Sequence, residues 1–77
     1  MNNQVEYKGY LGEVSVDMEA GLLHGRVVNI ERDVLTFRGE TPTEAKQDFY
    51  DMIDEYLSDC EADGTVAEKP KEMATTQ

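Results

Sequence analysis

The chain has one cysteine, one histidine and two prolines, and only seven lysines and arginines against seventeen acids. One cysteine excludes an internal disulfide, and Cys60 with His24 cannot supply the four protein ligands of a structural zinc site. No apolar run approaches the ~20 residues of a membrane-spanning helix. The opening Met1-Asn2-Asn3-Gln4 has neither the basic start nor the apolar stretch of a signal peptide. Glycine-rich phosphate loops, histidine metal motifs and aspartate-rich loops with calcium-binding spacing are absent from the sequence. A net charge of −10 argues against a polyanion-binding surface, because seven scattered bases neutralise few phosphates. The composition predicts a cytoplasmic protein without cofactor or metal, and a basic protein as its natural partner.

What is present fits one small domain. Apolar residues make up 39% of 77 residues, below the ~45–50% of an average globular chain, so the core is thin. Gly12 to Asp17 alternates, with Val14 and Val16 on one face. Leu22 to Val28 and Val34 to Arg38 read as two further strands. The more apolar sheet face is then Val14, Val16, Leu23, Val27, Leu35 and Phe37, and the second face carries Leu22, His24, Arg26, Val28, Val34 and Thr36. Gly21 supplies the positive φ that closes the Met18–Gly21 loop, and Asn29 to Asp33 has hairpin length.

A long helix follows. Thr41-Pro42-Thr43-Glu44 is a capping box with proline at the first helical position, and Glu44 is placed to reach the Thr41 amide. Ala45, Phe49, Met52, Ile53, Tyr56, Leu57 and Cys60 then recur at three- and four-residue steps, and Gly64 closes the helix. Thr65-Val66-Ala67 is a candidate fourth strand at an edge. The pattern predicts an α+β domain over residues 1–67: a three- to four-stranded antiparallel sheet with one long helix on one face, in β-β-β-α order. Residues 68–77 read as a charged, flexible tail.

Stability alone does not account for one flank of that helix. Glu44, Asp48, Asp51, Glu55 and Asp59 are spaced 4, 3, 4 and 4, so each step sets like charges side by side at a cost of a few tenths of a kcal/mol. Residues 44–63 hold eight acids and one base, Lys46. The plain reading is a solvated face of an acidic protein; the sharper one is an electrostatic surface for a basic partner, acting on association rate and specificity. His24, on the second sheet face, reads as a surface or interface residue, since a general base needs an orienting partner. Cys60 reads as a buried, inert thiol. Gly25, mid-strand, marks a close approach, with the crossing helix as the plain explanation. Tyr10 covers a core edge or anchors an interface.

These residues, taken in order, resemble the HicB family, the antitoxins of bacterial HicA–HicB toxin–antitoxin systems, in its shorter form. The likeness runs from Tyr7-Lys8-Gly9-Tyr10 through Glu13-Val14, the Asp17 to Gly21 turn and His24-Gly25-Arg26-Val27. It continues through Leu35 to Thr41, Glu44-Ala45, Phe49, Asp54-Glu55-Tyr56-Leu57 and Glu68-Lys69-Pro70. The resemblance implies a partial RNase H-like fold without nuclease chemistry. It also implies a small basic toxin as partner, an mRNA interferase of HicA type whose active site the antitoxin covers. Many family members add a ribbon-helix-helix or helix-turn-helix domain; no such domain follows here, so DNA binding is not expected of this chain.

The expected contact residues are Tyr10, His24, Arg26, Asp48, Asp51, Glu55 and Asp59, assigned on charge and exposure. The thin core and the unpartnered second sheet face predict a homodimer or higher oligomer, through a sheet edge or that face. Two rivals stay open: a stand-alone acidic interaction module without a toxin, and a residual metal-dependent nuclease.

Overall fold

Four strands and one helix form residues 3–71, the part of the chain that the computed structural model describes. Strands β1 (Gln4–Tyr7), β2 (Tyr10–Asp17), β3 (Leu22–Val27) and β4 (Thr36–Gly39) form an antiparallel meander in that spatial order, and helix α1 (Pro42–Asp63) follows. The α+β class and the single long helix are as the sequence predicts. The fourth strand is not where it was expected: Thr65 to Ala67 is irregular, and the extra strand is N-terminal. β1 is admitted by a two-residue turn in which Lys8 and Gly9 both have positive φ, 54° and 88°. That backbone has the twist that lets a tight hairpin close.

The register sorts the faces. Val5 opposes Gly12, Gly12 opposes Val27, Val14 opposes Gly25 and Gly25 opposes Phe37, and these point toward α1. The core under the helix is Tyr10, Val27, Ile30, Phe37, Phe49 and Ile53. Phe37 and Phe49 meet with ring centroids 4.9 Å apart. Gly12 and Gly25 make room for them: a Cβ on Gly25 would lie 2.5 Å from the Phe37 ring and 2.3 Å from the Glu13 carbonyl oxygen. So Gly25 answers to the Phe37 ring and to its neighbouring strand, while Gly39 is the glycine pressed by the helix backbone, 2.3 Å from the Ala45 nitrogen. Val16, expected in the core, is 62% exposed, because α1 leaves that end of β2 uncovered. Cys60 is half-buried.

Both helix ends form as the sequence implies. Thr41 Oγ1 accepts from the Glu44 amide at 3.1 Å. Glu44 reaches one residue further back than a standard capping box, taking the Glu40 amide at 3.1 Å. At the other end Gly64 has φ 74°; its amide donates to the Glu61 carbonyl and the Thr65 amide to the Cys60 carbonyl, a Schellman closure.

The segment after the helix is tied down as far as it is described. The Glu68 carboxylate accepts the consecutive amides of Glu31, Arg32 and Asp33 at 2.6, 2.8 and 2.9 Å. Asn29, buried, donates to the Gly9 and Lys71 carbonyls and accepts from the Leu11 amide. Lys71 pairs with Glu31. A tail boundary at residue 68 therefore cuts through a bonded strap; residues 72–77 lie outside the described part.

Candidate interaction surface

Two surfaces meet along the free edge of β4. On the side away from α1, the register sets Gln4, Glu13, Arg26 and Thr36 in one cross-strand row and Ser15, His24 and Arg38 in the next. His24 and Arg26 are both exposed there, and Arg26 makes no ion pair among the described residues, although Glu13 lies directly opposite. His24 stands directly across from Arg38, which the sequence reading did not single out.

On the helix side, the acidic flank comes down beside the same edge. Asp48 Oδ2 accepts the Arg38 backbone amide at 3.0 Å. The Val27 amide bonds the Leu35 carbonyl, so alternation turns Leu35, Phe37 and Gly39 toward β3 and Thr36 and Arg38 outward. Asp48 thus caps an open strand edge. A shallow pocket of about 410 Å³ joins the two surfaces, with His24, Arg26, Arg38, Glu13 and Asp48 in its wall.

The expected contact residues divide into three groups. Asp48, His24 and Arg26 are brought together. Asp51, Glu55 and Asp59 continue the exposed flank; Asp51 accepts from Gln47 Nε2, and Glu55 and Asp59 make no side-chain bond among the described residues. Tyr10 is not a surface residue. It is 3% exposed, packs edge-on against Tyr56 and donates its hydroxyl to the Glu68 carbonyl at 2.6 Å. Of the two expectations for Tyr10, the core edge holds and the interface anchor does not; a tyrosine in the sequence carries no sign of a partner 58 residues away.

The charges elsewhere serve the fold. Asp54, on the opposite flank of α1, binds Lys8 Nζ at 2.9 Å and the Tyr7 hydroxyl at 3.1 Å, which clamps the tight β1–β2 turn to the helix. The Lys8 hydrogen bond holds the Asp54 carboxyl below its ordinary value, and Asp54 raises Lys8 in turn. Among the described residues no group of His, Cys, Asp and Glu could hold a metal ion, and no helix is long and apolar enough to cross a membrane.

No protein-family model matches this chain, and neither a curated protein nor a solved structure does.

Proposed function

We propose that the protein is a HicB-like antitoxin of the cytoplasm, which binds a small basic mRNA interferase and blocks its active site by occlusion. The observation that supports this most is the α1 flank. Asp51, Glu55 and Asp59 stand exposed at four-residue steps with no counter-charge on the helix beside them. A solvated helix gains nothing from that pattern, whereas a basic partner gains a steered encounter. The resemblance of the sequence to the HicB family names the kind of partner. The chain does no chemistry in this reading; it buries another protein's catalytic groups.

The test is capture from source-cell lysate at about 0.1 M salt, where exposed charges still act over roughly 10 Å, with mass spectrometry of what stays bound. The expected product is one small basic protein that cleaves RNA when freed and is silent when this chain is returned to it. A captured protein with no ribonuclease activity, or none captured by folded chain, removes the reading and leaves a stand-alone interaction module.

A further inference from the structure

The free edge of β4 runs into an apolar groove that the fold leaves open. Val34 is 81% exposed and Val66 78% exposed, and both line one groove of about 780 Å³ with Leu35, Tyr56 and Cys60; Arg32, whose guanidinium donates to the Val66 carbonyl, and Asp33, which accepts from Tyr56, complete its wall as one opposed pair of charges. Val34 and Leu35 lead directly into β4, so edge and groove are continuous. Along that edge Arg38 is capped by Asp48, but the outward Thr36 amide has no partner among the described residues. By helical spacing Asp59 lies one turn on from Tyr56, and Asp63 one turn on from Cys60, so exposed carboxylates rim the groove.

A second copy fits this edge poorly. Antiparallel pairing of β4 with β4 of a copy would bring the two acidic flanks together. A cationic strand meets opposite charge instead. We propose that the β4 edge and the Val34–Val66 groove form a strand-addition site for an extended segment of a basic partner, which places one apolar side chain in the groove and lysines or arginines against Asp59 and Asp63. This rests on the reading of the chain as an inhibitor of a basic protein. Main-chain hydrogen bonds to Thr36 would supply affinity, and the groove and its rim would select the segment.

The probe is a synthetic peptide of alternating Lys and Val, titrated into the isotope-labelled chain and followed by amide NMR. Shifts centred on Val34–Thr36 and Val66, with slowed exchange of the Thr36 amide, are expected. Val34→Asp, a change at an exposed site that leaves the melting temperature in place, should weaken binding about tenfold, the effect of losing one interface anchor. A peptide with Glu for Lys, or with its backbone amides methylated, should not bind. No binding of the Lys–Val peptide, equal binding of either control, or an indifferent Val34→Asp overturns the site. Inhibition of the captured ribonuclease separates this from the antitoxin reading. If wild type and Val34→Asp silence it equally, the groove is wrong and the antitoxin reading stands. If the peptide binds at the groove and no ribonuclease is captured, the groove stands alone.

Discussion

At the scale of single residues, two side chains decide how the chain closes on itself. The first is the missing one of Gly25. With Phe37 and the Glu13 carbonyl both within 2.5 Å of where a Cβ would sit, the sheet cannot accept a methyl group without shifting β2 or the ring. Gly25→Ala should cost about 1–3 kcal/mol, the usual range for overpacking a filled core, read from chemical denaturation; a change below a few tenths would mean that the Phe37 contact is soft. The second is Glu68. Three amides of the β3–β4 loop, that of Glu31 foremost, hold its carboxyl below the ordinary glutamate value of 4.5. A carboxyl depressed in the folded chain stabilises it fully above that value and loses the contribution as pH falls through the lower, folded one. Acid should therefore release the strap before the core. Amide exchange at Glu31, Arg32 and Asp33 should rise below pH 4.5 relative to core amides, and Glu68→Gln should raise it at neutral pH and flatten that pH dependence. Unchanged protection in the variant would show that the strap is held by its other ties, those of Asn29, Tyr10, Tyr56, Arg32 and Lys71, without the carboxylate.

At the scale of elements, α1 carries two unlike flanks. Asp54 on one flank holds the Lys8-Gly9 turn, and Asp48 on the other caps β4, so these acids belong to the fold. Asp51, Glu55 and Asp59 do not, and they set up a conflict between stability and recognition. Replacing all three by lysine leaves the 51/55 and 55/59 steps like-charged but makes the step from Asp48 to position 51 attractive, worth about 0.2–0.5 kcal/mol, and puts a cation near the helix C-terminus, worth about 0.3–1 kcal/mol. The triple variant should melt higher than wild type yet associate more slowly with the basic partner, with a flatter salt dependence in stopped-flow mixing. Unchanged association kinetics would remove the helix flank from recognition. The strands show a related division: β4 is a short edge blunted at Arg38 and left open at Thr36, which is where aggregation is restrained and a chosen strand can still add.

At the scale of the whole molecule, the sheet has one face under α1 and one bare. The bare face mixes the bases Arg26 and Arg38 with Glu13 across the same strands, so two copies apposed there pair base with acid. The homodimer expected from the thin core should appear as a sedimentation mass twice that of the chain at micromolar concentration and fall apart in high salt. A monomer at low salt would leave the bare face to solvent.

The sequence by itself determined what depends on near neighbours. The Thr41 cap, Pro42, Gly64 and the three-and-four spacing of apolar residues specify α1, because the groups involved lie within one or two turns. Gly21, the alternation of Val14 and Val16, and the acidic flank were legible for the same reason. Tertiary structure decided whatever needed partners far along the chain. β1 is not evident in the sequence because Lys8 is not a residue that announces a left-handed turn, and the carboxylate that binds its side chain, Asp54, lies 46 residues on. Tyr10 became core, Val16 became surface, and Glu68 became the acceptor for a loop more than 30 residues upstream, where charge and proline suggested a loose tail. Composition states how much acid a chain carries; only the fold determines which carboxylates are consumed in holding it and which remain for a partner.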